Sequence, residues 1–288
     1  EWILNYLFYL ALVWSVANAF EVIPRHSGFS FSVRDEQFAE GFVATDARFA
    51  TRFLEGGFLV LLYPFYLAAR GQWLKLGLPL VLLALYMGFI NQTRSLAMVI
   101  VLVFALLPLM RQRFDRINIS ALVVIPILVI LGYFAYFLYS YAFNEPAFFY
   151  DYHRNREMRA LLGSILQDFF IPHGGLSLQF NEGLRSIYGF NVYTSDVGLI
   201  GLLFKYGILF LPLSFFMLLL GYFLYAKYKN DFSIILMAWL IANFIMIPFN
   251  DTLGRGTEII ALLAALTRLQ GANHEHQYIA CVRRGRSP

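Results

Sequence analysis

Residues 194–226 read TSDVGLIGLLFKYGILFLPLSFFMLLLGYFLYA, a polar opening that passes into an unbroken apolar run from Ile208 to Ala226. A helix needs about twenty apolar residues to cross the hydrocarbon core of a bilayer, and this run supplies them without a charge. Outward from it lie runs of the same character at approximately Trp2–Phe20, Phe53–Ala69, Leu76–Ile90, Ser95–Met110, Ile119–Ser140, Phe232–Phe249 and Glu258–Leu269. The two at Leu76–Ile90 and Ser95–Met110 are joined by Asn91-Gln92-Thr93-Arg94 alone. One helix through both would measure about 50 Å at 1.5 Å per residue, too long for a bilayer, so a tight helical hairpin is expected. The expected fold class is all-α: an integral membrane protein of about eight transmembrane helices, forming one polytopic domain over residues 1–288.

Composition points the same way. The chain is 59% hydrophobic and 14% charged, with a mean hydropathy of +0.63, whereas soluble domains carry roughly a quarter charged residues. The single cysteine, Cys281, excludes a disulfide framework and a thiolate metal site. There is no internal repeat, low-complexity segment or linker. The chain opens on Glu1 with no initiator methionine, so it is expected to be an internal or processed piece with spans missing upstream. Its first run is too long and too aromatic for the core of a signal peptide.

Basic residues in the short loops set the expected orientation. Arg70 and Lys75 flank one loop, Arg111, Arg113 and Arg116 crowd the next, Lys227 and Lys229 sit in the third, and Arg283, Arg284 and Arg286 lie in the tail at 271–288. These loops face the cytoplasm. Glu21–Arg52, the Asn91–Arg94 turn, Tyr141–Gly207 and Asn250–Arg255 then open to the outside. The interval from Tyr141 to Gly207 is a large extracytoplasmic loop of about sixty residues, polar and charged inside an apolar chain. It is expected to be the working part of a membrane enzyme.

Five residues stand out for chemistry. Arg94 lies between two apolar runs, a few residues from the outer face, where a charge costs a few kcal/mol unless paired or solvated. It either serves an anionic ligand or snorkels from a helix end. Arg154 to Phe170 reads as an amphipathic helix, with Met158, Leu161, Leu162, Ile165 and Phe169 at helical spacing and directed onto the membrane. Arg156 and Arg159, three apart, share its watery flank. There they grip a diphosphate in bidentate fashion or simply face solvent and headgroups. His173, between Pro172 and Gly174-Gly175, suits a general base or a structural loop position. Asp196 caps the helix that follows it, accepts a proton from a sugar hydroxyl, or does both.

The chain lacks a phosphate-cradling P-loop, a dinucleotide fingerprint and metal-ligand spacing; His274-Glu275-His276 lies in the tail. No nucleotide, metal or other cofactor is indicated. Any reaction would draw its energy from the substrate.

These residues resemble the O-antigen ligase and polymerase superfamily. Thr-Arg-Ser-Leu-Ala-Met (93–98) opens an apolar helix in the manner of that family's Ser-Arg-small pattern. The external loop is similar too: a basic amphipathic helix from Arg156 to Gln167, then Phe-Phe-Ile-Pro-His-Gly-Gly (169–175) where the family has a Pro-x-x-Gly-x-Gly turn. Ser-Asp-Val-Gly-Leu-Ile-Gly-Leu-Leu-Phe-Lys-Tyr-Gly-Ile (195–208) is close to the form in polymerases of surface-polysaccharide repeat units. Ligases tend to carry His-Asn where this chain has Ser195-Asp196. The likeness runs from the Leu76–Ile90 span onward and rests on the order of the motifs.

The resemblance implies an N-terminally truncated multi-span glycosyltransferase of a bacterial inner membrane, active on its outer face without metal or nucleotide. It would polymerise undecaprenyl-diphosphate-linked oligosaccharides, with undecaprenyl diphosphate leaving. Arg94, Arg156 and Arg159 would bind the diphosphate, and Asp196 or His173 would take the acceptor's proton, with Asp196 slightly favoured. A flippase and a chain-length regulator are implied as partners, and nucleic acid is not. A ligase of the same fold, a metal-dependent transferase using Asp35-Glu36, and a lipid-linked sugar transporter compete with this reading.

Overall fold

The computed structural model describes residues 1–19, 59–87, 94–113, 132, 136, 139, 152–174, 184–190, 192, 194–248 and 257–283. These residues are 88% helical and include no strand, in agreement with the all-α expectation. They group into two compact units, Glu1–Pro108 and Leu109–Pro288.

The first unit is built around α2 (Leu59–Ala69), which is buried from Val60 to Ala69. A helix apolar on every side has no polar face to turn toward water, so it takes the middle position. Both α1 (Trp2–Ala19) and α3 (Trp73–Leu85) pack against it. The helix α4 (Arg94–Arg113) begins in this unit, and its Phe104 ring meets Phe65 of α2 edge-on at 5.2 Å. Gly71, at φ 67°, closes α2 in the left-handed conformation that glycine adopts without cost. There Gly71 N–H donates to Ala68 O and Gln72 N–H to Leu67 O, both at 2.9 Å, satisfying carbonyls at the helix end. Lys75 Nζ donates to the Glu1 carboxylate at 2.9 Å, so α1 starts beside this turn, as alternating spans require. The outer faces stay apolar: Ile3, Tyr6, Leu10 and Val13 of α1 and Leu74, Leu78 and Val81 of α3 are exposed.

The second unit repeats the plan at its C-terminal end. Asp231–Met246, α9, is buried along nearly its whole length. It lies between α8 (Phe210–Tyr228) and α10 (Thr257–Arg283), which also touch each other. Lys229, at φ 45°, turns the chain. Asn230 then caps α9 reciprocally: Ser233 N–H donates to Asn230 Oδ1 and Asn230 N–H to Ser233 Oγ, both at 2.9 Å. The amide's remaining donor reaches Thr267 O of α10 at 2.8 Å, so one buried asparagine ties all three helices.

Several boundaries differ from the sequence expectation. Among the described residues, the helical run Gly198–Tyr228, 31 residues, is long and apolar enough to cross a membrane; the other apolar helices are shorter. This run starts ten residues before the expected Ile208, because GLIGLLFKY is itself apolar and helical. The expected tail from residue 271 continues α10 as helix to Arg283. Phe53–Phe58, Asn91–Thr93, most of Ile119–Ser140 and the Asp35-Glu36 pair lie outside the described residues.

Candidate functional site: a basic helix clasped to the helix after it

The candidate site belongs to the second unit and is framed by two helices. The first, α5 (Tyr152–Gln167), places Met158, Leu161, Leu162 and Ile165 on one face. All four are 0% exposed. They are buried against protein, since α5 packs on α7 (Gly198–Tyr206) and on the 3-10 turn Thr194–Val197 that leads into it. The expectation that this face rests on the membrane is therefore corrected: an apolar neighbour in the same chain covers it. Phe169, expected on the same face, lies beyond the helix end and is 86% exposed.

Close approach to α7 depends on two glycines. A Cβ on Gly201 would overlap the Thr194 carbonyl, and one on Gly207 would overlap the Phe170 carbonyl. Both obstacles are backbone, which no rotamer change can move. Gly207 also sits at φ 58°.

The end of α5 is joined to the end of α7 by a backbone clasp. Phe169 and Phe170 take φ values of 51° and 60°, a left-handed conformation that costs a bulky residue about 1–3 kcal/mol. Three hydrogen bonds hold the turn in place. His173 N–H donates to Phe204 O at 3.0 Å, Gly174 N–H to Lys205 O at 3.0 Å, and Ile208 N–H to Phe170 O at 3.1 Å. The first two satisfy carbonyls that the last turn of α7 would otherwise leave open. Pro172-His173-Gly174 thus acts as a C-cap supplied from a distant part of the chain.

Within the clasp the His173 ring is fixed on two sides. Its Nε2 lies 2.8 Å from Asp168 Oδ2. Its face stacks on Phe204 with centroids 4.3 Å apart and planes 10° apart. At the other end of α5, the exposed Arg156 guanidinium lies 4.0 Å over the Phe190 ring. Stacking of this kind holds the plane of the group while leaving its edge N–H groups directed outward. The segment bearing Phe190 is tethered by a 2.7 Å hydrogen bond between Tyr188, in the short helix α6 (Arg185–Tyr188), and Ser164 of α5. Arg159 is half-buried on α5.

The expected site residues are therefore distributed as follows. Arg156, Arg159 and His173 fall on one substructure. Asp196 falls in the Thr194–Val197 turn that packs on α5, with its side chain outside the described residues. The N-cap position of α7 is Val197, because the chain is already helical at Asp196. Arg94 is the first residue of α4, and its side chain is likewise outside the described residues. Sequence reasoning missed Asp168, Phe190 and Phe204. Asp168 had a signal, a carboxylate five residues before a histidine across a proline turn. The two phenylalanines had none, since their partners are remote along the chain.

Compared with known protein families, with curated proteins and with solved structures, the chain matches none.

Proposed function

We propose that this protein is a polytopic membrane glycosyltransferase that lengthens a polysaccharide on the outer face of a bacterial inner membrane. Its substrates in this reading are undecaprenyl-diphosphate-linked oligosaccharides, and undecaprenyl diphosphate is the leaving group. The observation that carries the reading is the setting of α5. A helix rich in arginine is pinned by its apolar face to the helical run Gly198–Tyr228, with Arg156 held open by Phe190. A basic surface anchored at the start of a long apolar helix suits a substrate that is anionic at its diphosphate and apolar at its lipid.

Arg156 and Arg159, with Arg94, bind the diphosphate and stabilise the charge it gains as it departs. His173 or Asp196 receives the proton of the attacking hydroxyl. Much of the acceleration comes from holding the two lipid-linked sugars in line. The exposed apolar faces of α1, α3 and α8 contact lipid, and the remaining apolar helices complete about eight spans.

The test is chain growth by the purified protein on undecaprenyl-diphosphate-linked repeat units, in buffer containing a chelator. Longer chains are expected, and Arg94→Ala should abolish them while the protein still inserts. Normal chain lengths in that variant would overturn the assignment of Arg94. Transfer to a lipid A core or a protein, without growth, would make the protein a ligase. Passage of lipid-linked sugar across liposomes without growth would make it a transporter.

A further inference from the structure

We propose that His173 is the proton acceptor of the transfer and that Asp168 and Phe204 are its positioning residues. This rests on the glycosyl-transfer reading above and decides between the two bases left open there. An ionised carboxylate only accepts hydrogen bonds, so the 2.8 Å contact with Asp168 Oδ2 assigns the ring proton to Nε2. Nδ1 then carries the lone pair, and among the described residues it has no hydrogen-bond partner. Parallel stacking on Phe204 removes the ring's freedom to turn away. A carboxylate that fixes one nitrogen while the other faces a hydroxyl is the arrangement that makes imidazole an effective base.

Spacing along α5 supports the same assignment. In an in-line displacement the base and the diphosphate ligands stand on opposite sides of the anomeric carbon. Hydrogen-bond reach of the base, the gap before attack, the diphosphate itself and its contact with a guanidinium together span on the order of 15 Å. Asp168 follows Arg159 by nine residues and Arg156 by twelve, which is about 13 and 18 Å along a helix. His173, bonded to Asp168, therefore stands at the required remove from both arginines.

Asp196 does not. Both α5 and α7 end at the clasp, and the Thr194–Val197 turn packs on α5. Asp196 precedes Phe204 by eight residues, so its backbone lies about 12 Å back along α7, on the arginine side. In the step itself the acceptor oxygen bonds to the anomeric carbon and its proton passes to His173 Nδ1. The anomeric C–O bond breaks, its electron pair leaves on the diphosphate, and the configuration inverts.

The experiment uses the intact protein in detergent with undecaprenyl-diphosphate-linked repeat units as donor and acceptor. If the unaltered protein builds no longer chains, the enzymatic reading falls and this proposal with it. If it does, His173→Ala should lower kcat about a hundredfold or more, with part of the loss restored by free imidazole. Asp168→Asn should lower kcat about tenfold or more while KM stays within about twofold, and Asp168→Glu should recover most of the rate. Unchanged kcat in Asp168→Asn overturns the proposal and leaves the glycosyl-transfer reading standing. So does a His173→Ala defect that imidazole does not relieve, or an Asp168→Glu variant as slow as Asp168→Asn. Those outcomes would mark the clasp as purely structural.

Discussion

The helical run from Gly198 to Tyr228 contains two segments of similar composition and opposite surroundings. Gly198 to Phe204 in α7 are all buried, beneath α5 and the turn before them. Beyond the kink at Gly207, α8 buries a single stripe (Phe210, Ser214, Leu218, Gly221, Leu224 and Tyr225) against its neighbours. Its other side, including Ile208, Leu209, Leu213, Phe216 and Phe223, is exposed. Apolarity makes both segments helical candidates, but it does not say what will cover them. For α7 the cover is the chain itself. For α8 the exposed side is apolar enough to face lipid, and the proposed function assigns it there.

The sharpest way to break this contrast is to deny α7 its close neighbour. Gly201→Ala sets a Cβ against the Thr194 carbonyl and should destabilise the second unit by about 3 kcal/mol or more. Thermal unfolding in detergent measures it, and early proteolysis within residues 152–174 should accompany it. Full stability in that variant would show that α7 and the turn are not packed as described. The same substitution at Gly221 of α8 meets the flexible tip of Leu240. There about 1 kcal/mol is expected, because a side chain can move aside.

Truncation of an apolar side chain separates the segments next. Leu162→Ala on α5, facing α7, should cost about 2–5 kcal/mol. Phe216→Ala on α8, where the residue is 61% exposed, should change detergent stability by no more than about 0.5 kcal/mol. Equal losses at the two sites would erase the distinction between them. The direct probe of lipid contact is Phe216→Arg. If that face lies in the hydrocarbon region, insertion should be penalised by about 2.5–3.5 kcal/mol, read as a lower inserted fraction in microsomes.

Loss of the asparagine that binds α8, α9 and α10 at one point comes below these. Asn230→Ala removes a reciprocal cap and should lower stability by about 1–2 kcal/mol. The smallest effect belongs to the first unit, in open water. The hydrogen bond from Lys75, aided by the charges of Lys75, the terminal amine and Arg70, holds the Glu1 carboxyl below its usual range. A lowered folded pKa means the pairing contributes stability above the ordinary carboxylate pKa and loses it as pH falls through the lowered value. The melting-temperature difference between the protein and Glu1→Gln should be slight at neutral pH and vanish in acid.

Much of the helical plan was legible because apolar runs announce helices directly. Trp2–Phe20 was expected where Trp2–Ala19 is found, and Phe232–Phe249 where Asp231–Met246 is found. The spacing of Met158, Leu161, Leu162 and Ile165 identified α5 as amphipathic, and Arg156 emerged on its polar flank as expected. What covers the apolar face was misjudged, since periodicity gives the direction of burial and not the partner. His173 was recognised from its irregular Pro-Gly setting. Its orientation was not, because Phe204 joins it from far along the chain.

The sequence by itself determined that these residues form apolar helices, that one interval among them is polar, and which cationic and proton-accepting side chains that interval contains. Those properties are local: they depend on side-chain chemistry and on spacing at helical period. Tertiary structure alone decided that α7 is covered and that half of α8 is not. It also decided that Gly201 and Gly207 are places where backbones meet, and that His173 is held between Asp168 and Phe204. Each of these joins groups that are separated along the chain, and no local pattern records which of several apolar faces will meet.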